Sequence, residues 1–240
     1  LLSTSLRRDY NINYINSQNT VFSINSKKKI KQKNISYKYI FLLIKPDIFL
    51  KKTSHFKNFI SQDSKIISCM AGIKLITICN NLGHKNVIRI MPNVMAKQNK
   101  SQTFVFAKNK KILNRSFDKL IKSFGSVHYT SNEDQINIAT SIFGSGPAFI
   151  AYLIKSYIVA AKNLSKKNQL KDIDLMNLFH NVLSANENSK DLDFFLDSIA
   201  SKKGTTQAGV NFLKSQNINK IIYTTLDRAY KRAKEIGIEK

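Results

Sequence analysis

Gly144-Ser145-Gly146-Pro147-Ala148-Phe149, running on into Ile150-Ala151-Tyr152-Leu153-Ile154, joins two unlike halves of the chain. Two glycines permit backbone geometry that other residues resist, and Pro147 stands where a helix can begin without losing a needed N–H. A helix is therefore predicted from Pro147 to Leu164. Between Phe149 and Leu164 only Lys155 and Lys162 are charged, and apolar residues fall on every face, the pattern of a helix enclosed by other helices. Taken alone, this is a central core helix with a glycine-permitted close contact at its start.

On its N-terminal side the chain reads as alternating strand and helix. Asn11-Ile12-Asn13-Tyr14-Ile15 and Val21-Phe22-Ser23-Ile24 alternate as short strands do, after a possible helix tail over Leu1 to Arg8. Beyond the lysine run from Lys27 to Lys33, Tyr39-Ile40-Phe41-Leu42-Leu43-Ile44 is continuously apolar and is stopped by Lys45-Pro46. Such a run is a strand covered on both faces, which points to a parallel sheet. Helical spacing over Ile48 to Ser61, strand character over Lys65 to Met70, a helix over Ile73 to Leu82 and a strand over Val87 to Met91 continue the doubly wound pattern. Strands at Thr103 to Ala107 and Val127 to Tyr129 flank a helix over Lys111 to Phe124.

Such sheets bind ligands beyond the carboxyl ends of their strands. Three ends are visible, at Lys45-Pro46, at Cys69-Met70-Ala71-Gly72 and at Pro92-Asn93, where small residues and bare backbone let a nucleotide lie close. Plain turn chemistry explains each of them equally well in isolation. After Thr130 the strand signals cease. Helical periodicity covers Glu133 to Phe143, Pro147 to Leu164, Leu170 to Ser189, Asp191 to Ala200, Thr206 to Ser215 and Asn219 to Ile236. The expected division is an α/β Rossmann-like domain over 1–131 and an all-α domain over 132–240.

The 240 residues are enough for two modest domains, and 42% hydrophobic content is enough for cores. The formal charge of +24 would ordinarily suggest a nucleic-acid partner. Here the excess is lysine, spread from end to end among asparagine and isoleucine, so A/T-rich codon usage and solvated surface account for it and nucleic acid is disfavoured. Cys69 and Cys79 form no CxxC, and His55, His84, His128 and His180 are scattered, so no metal site is expected. No run is read as reaching the roughly 18 apolar residues that span a bilayer, and the cytoplasm is the expected location.

In the helical half, Ser201-Lys202-Lys203-Gly204-Thr205-Thr206-Gln207-Ala208-Gly209 places a glycine and hydroxyl residues at a helix start. The unpaired N–H groups there, with the positive end of the helix dipole behind them, attract an anion. A capped interhelical turn with Thr206 as N-cap is the structural alternative.

Together, Ile44-Lys45-Pro46, Ser68-Cys69-Met70-Ala71-Gly72-Ile73, Arg89-Ile90-Met91-Pro92-Asn93, Thr140 through Phe149, and Gly204-Thr205-Thr206-x-Ala208-Gly209 stand in the order and spacing of the pyrroline-5-carboxylate reductase family, which the chain resembles from about Asn11 to Gly237. The resemblance implies an NADPH- or NADH-binding Rossmann domain followed by a helical domain through which the family dimerises and often assembles further. It implies reduction of L-1-pyrroline-5-carboxylate to L-proline, the last step of proline synthesis. By position it implies that Leu43, Ile44, Lys45, Pro46, Cys69, Met70, Ala71 and Asn93 line the dinucleotide. It places Ser17, between Asn16 and Gln18, by the adenosine ribose or its 2′-phosphate. Ser201, Gly204, Thr205 and Thr206 then hold the substrate, Thr206 as the catalytic hydroxyl near the ring nitrogen, with Glu133 close by. A protonated cyclic imine accepts hydride readily, so the protein mainly supplies orientation and a donor near the nitrogen.

The sequence departs from the family at several points. The first glycine is Gly72, so the glycine-rich turn of the first strand and helix is expected to lie upstream of Leu1 or to be lost. Lys202-Lys203 replace the usual Pro-Gly, Val94-Met95 replace Thr-Pro, and Lys97 to Gln102 replaces a glycine-containing segment. The lysines either strengthen carboxylate binding or distort the loop. A paralogue that keeps the helical dimer without catalysis, and a basic nucleic-acid-binding protein, are the alternative readings.

Overall fold

The computed structural model describes residues 13–15, 21–23, 36–165, 170–186 and 188–236. The expected helix tail at Leu1 to Arg8, the lysine run, and Asn16, Ser17 and Gln18 lie outside them. The chain forms two compact units, Leu1–Ser145 together with Asp227–Lys240, and Gly146–Leu226. Strands end at Thr130, so secondary-structure type changes near residue 131, whereas compactness changes at Ser145.

The first unit begins with β1 (Asn13–Ile15) and β2 (Val21–Ser23), an antiparallel pair. Then come β3 (Tyr39–Leu42), the short helices α1 (Pro46–Lys51) and α2 (Thr53–Lys57), β4 (Lys65–Ser68), α3 (Leu75–Leu82) and β5 (Val87–Met91). A 3-10 turn at Val94–Gln98 leads to β6 (Ser101–Phe106), and α4 (Arg115–Lys122) precedes β7 (Gly125–Thr130). The five longer strands form one sheet in the order β3-β4-β5-β6-β7. The helix expected over Ile48 to Ser61 is two shorter pieces, broken at Lys52.

Every residue of β4 and β5 is buried, Lys65, Ser68 and Arg89 included, whereas β3, the first strand in the order, has three of its four residues only half-buried, so the cover on both faces expected of it falls to its neighbours. Alternate side chains feed opposite cores. Ile66 and Val87 pack with Phe49, Ile73 and Ile78 on one face, while Ile67, Ile88 and Ile90 pack with Val105, Phe117 and Ile121 on the other. The parallel sheet expected from sequence needs one correction: β3, β4 and β5 are parallel, but β6 runs antiparallel to β5. The connection from Met91 to Ser101 is a single 3-10 turn, too short for the crossover that a parallel neighbour requires. β7 then pairs parallel with β6, starting at Ser101 beside Gly125.

α5 (Asp134–Ala139) continues without a break through a π-helical turn, Thr140–Ser145, into α6 (Gly146–Ser165). Pro147 explains the widened turn. It has no N–H to offer the carbonyl of Phe143, and its ring crowds that carbonyl, so the backbone opens by one residue just upstream. The close contact expected at the glycines is not made among the described residues. A Cβ on Gly144 would meet Met91 Sδ at 3.6 Å, an ordinary contact, and one on Gly146 would meet nothing within 4 Å.

The second unit holds α6, α7 (Asp172–Ser184), α8 (Ser189–Ile199), α9 (Thr205–Ser215) and the first turns of α10 (Ile218–Glu235). Asn188 and Asp191 form a capping box at the start of α8. Tyr157 and Phe179 meet edge to face at 5.2 Å, and Lys162 pairs with Asp172. The enclosure expected for α6 is not supplied by the described residues of this chain: Tyr152 is 72% exposed and Leu164 85%, and Phe194 on α8 is 77% exposed. The membrane expectation also changes. The helical run Asp134–Ser165, 32 residues, is long and apolar enough by length and composition to cross a membrane, because after Asp134 only Lys155 and Lys162 are charged in a stretch rich in isoleucine and alanine.

Candidate active site

A cavity of about 460 Å³ opens where the carboxyl ends of β3, β4 and β5 come together. Leu43 and Ile44 follow β3, Cys69 and Ala71 follow β4, and Met91, Pro92 and Asn93 close β5; all seven line it. The π turn supplies a further wall through Thr140, Gly144 and Ser145. The volume falls in the range of small-molecule sites, and the position is that of ligands in open α/β sheets.

Local chemistry fixes each wall. Pro46 opens α1 at the position where no N–H is needed, turning the chain directly after Ile44. Gly72, with φ of 77°, lets the chain fold back after Ala71, and the Ile73 N–H donates to the Ala71 carbonyl at 2.9 Å. Asn93 is buried and held on two sides. Its backbone N–H donates to Ser101 Oγ and its Oδ1 accepts from the Met95 N–H, each at 3.0 Å. Burial pushes the Cys69 thiol up to about 12, so it stays protonated at neutral pH and serves as wall rather than nucleophile.

The residues proposed from sequence for the nucleotide thus divide. Leu43, Ile44, Cys69, Ala71 and Asn93 surround the cavity. Met70 is 2% exposed and packs into the core on the opposite side of its strand end, while Lys45 and Pro46 stand outside the lining. Ser17 lies outside the described residues. Sequence reasoning missed Thr140, Gly144 and Ser145 as wall residues, although the motif that contains them was conspicuous.

Glu133, just before α5, is engaged by β5 and by the start of α3. Its Oε1 accepts from Arg89 Nη1 at 2.7 Å and from the Leu75 N–H at 2.6 Å. Arg89 is 1% exposed, and its Nε and Nη2 have no hydrogen-bond partner among the described residues. Burial pulls the guanidinium pKa down, opposed by Glu133. The single charge in the apolar strand Val87 to Met91 was the available sequence signal for this pair.

In the helical unit, Ser201, Gly204, Thr205 and Thr206 meet in one turn at the start of α9. Gly204 occupies the N-cap position, no side chain caps the helix, and the Gly204 N–H donates to the Ser201 carbonyl at 2.9 Å. The N–H groups of the first turn are therefore not capped by a side chain. A Cβ on Gly204 would crowd Ser201 Oγ, so any larger residue there must turn the serine hydroxyl aside. Lys203 takes φ of 62°, the left-handed conformation that glycine adopts freely. Backbone strain therefore falls on Lys203. Lys203→Gly is expected to relieve about 1 kcal/mol and raise the Tm by about 2–4 °C; a lower Tm in a thermal melt counts against this account.

A family profile described as pyrroline-5-carboxylate reductase dimerisation matches residues 133–236. The pyrroline-5-carboxylate reductase of Staphylococcus saprophyticus is 33% identical over 206 residues, covering 83% of this chain and 74% of that protein. The Staphylococcus aureus enzyme is 34% identical over 204 residues with the same coverage. Among solved structures, the Plasmodium falciparum pyrroline carboxylate reductase with NADP bound has a TM-score of 0.72 at 23% identity, over 83% of this chain and 77% of that one. The Streptococcus pyogenes 1-pyrroline-5-carboxylate reductase has a TM-score of 0.67 at 25% identity, over 82% and 76%. These likenesses extend well beyond the helical residues into the sheet that carries the cavity, and the chain belongs to the pyrroline-5-carboxylate reductase family.

Proposed function

We propose that this protein reduces L-1-pyrroline-5-carboxylate to L-proline with NADPH or NADH, as a homo-oligomer in the cytoplasm, completing proline biosynthesis. The observation that carries this reading, in a chain of this family, is the cavity at three parallel strand ends closed by the π turn. Small residues at Ala71 and Gly144 and the apolar side chains of Leu43, Ile44 and Met91 suit the flat nicotinamide end of a dinucleotide. When bound there, the reduced nicotinamide supplies the hydride.

The chain's own residues orient the other reactant. The uncapped N–H groups at the start of α9, with the hydroxyls of Ser201 and Thr205, hold the substrate carboxylate. The Thr206 hydroxyl hydrogen-bonds the ring nitrogen, so that the C=N carbon gains hydride while the nitrogen keeps its proton and becomes the amine. No nucleophile is needed, consistent with the protonated thiol of Cys69. The exposed apolar faces of α6 and α8 are covered by a second copy, since both lie within the dimerisation match. Imine-dependent oxidation of NADPH or NADH by the purified protein, with proline as product, tests the reading. Absence of proline with either coenzyme overturns it.

A further inference from the structure

One carboxylate oxygen, Glu133 Oε1, meets three chain segments that each lead to a different wall of the cavity. Arg89 lies on β5, two residues before Met91. Leu75 is the first residue of α3, immediately after the turn that carries Cys69 and Ala71. Glu133 itself precedes α5, which runs into the π turn with Thr140, Gly144 and Ser145. No side chain of α3's own neighbourhood caps that helix; the carboxylate arrives from 58 residues away. It faces an orphan N–H at the positive end of a helix, where a negative charge is favoured. Arg89 has no other hydrogen-bond partner among the described residues, so a buried guanidinium depends on the same oxygen.

We propose that Glu133, paired with Arg89, is a positioning residue that clamps the turn after β4, the end of β5 and the π turn into one wall set for the nicotinamide. This takes the place of the direct substrate contact implied by its position in the family. The inference rests on the reading of the cavity as the nucleotide site. Its consequence is a separation of effects: loss of the clamp loosens the cavity, while the anion-binding turn at Gly204 to Thr206 keeps its own hydrogen bonds.

The test compares the parent protein with Glu133→Gln, Glu133→Ala and the double variant R89M/E133L, which removes both charges and guards against a variant that fails to fold through an unpaired buried cation. In E133A, amide exchange over residues 69–77 is expected to accelerate about tenfold or more, the loss of one charge-assisted hydrogen bond, with peptides of β6 and α4 unchanged. Unchanged or uniformly faster exchange overturns the proposal, and this readout needs no nucleotide. In turnover assays KM for NADPH rises about tenfold in E133A and in R89M/E133L, with kcat within about threefold and KM for the imine unmoved. E133Q, whose amide oxygen still accepts from Leu75, recovers part of that loss. A rise confined to the imine KM, or a parent-like NADPH KM in the folded double variant, overturns the proposal. A parent that neither binds nor oxidises NADPH refutes the proposed function, and the exchange result then decides the clamp by itself.

Discussion

Thr206→Val is expected to lower turnover of pyrroline-5-carboxylate by about a hundredfold or more, because the hydrogen bond proposed to the reacting nitrogen is lost while the side-chain volume stays. Val keeps the branch and removes the hydroxyl, and the helix start at Gly204 uses no side-chain cap, so stability should hardly move. The loss belongs in kcat, with NADPH affinity unaffected, since Thr206 lies in the turn at the start of α9 and the proposed nicotinamide wall is built from the strand ends. Thr206→Ser should restore most of the rate. Steady-state kinetics of the three proteins decide it. A Val variant within about threefold of the parent, against the hundredfold expected of such a group, removes Thr206 from the chemistry.

Gly125→Ala is expected to cost about 3–5 kcal/mol, a large part of the stability of a domain. Gly125 opens β7 with φ of 136°, outside the range of residues bearing a Cβ. A methyl group there would also overlap the Ser101 carbonyl and approach the Ser101 nitrogen to 2.6 Å. The first rung of the β6–β7 ladder, Ser101 to Gly125, would have to part. Gly83 makes the comparison. It caps α3 at φ of 65°, and a methyl group added there would meet nothing within 4 Å, so Gly83→Ala should cost only about 1–2 kcal/mol. Urea unfolding of the two variants gives the ranking, and equal midpoints contradict it.

The sheet was legible in its apolar residues, but the depth of burial was not: the continuously apolar β3 is largely half-buried, and the fully buried β4 and β5 carry Lys65, Ser68 and Arg89. Ile66, Ile67, Val87, Ile88 and Ile90 announce β4 and β5, and Pro46 and Pro92 mark where the strands stop. The reversal of β6 was not legible, because an apolar run carries no direction and only the brevity of the link from Met91 to Ser101 hints at it. Five proposed residues meet at the cavity because the strand-end rule is geometric. Met70 could not be separated from Cys69 and Ala71 by that rule, since alternation sends its side chain to the opposite face. The π turn leaves no periodic trace at all. Pro147 marks the place without specifying how the backbone yields. The Arg89–Glu133 pair spans 44 residues, and local pattern holds no information about which carboxylate a buried cation will find.

If a second copy covers the outward-facing apolar residues of α6 and α8, Tyr152, Leu164 and Phe194 among them, the protein's robustness is tied to its abundance. Where association hides such surface, mass action makes the folded state tougher in concentrated solution and weaker on dilution, by RT ln of the occupancy ratio. A cell that made too little of this chain would hold a fragile pool as well as a small one.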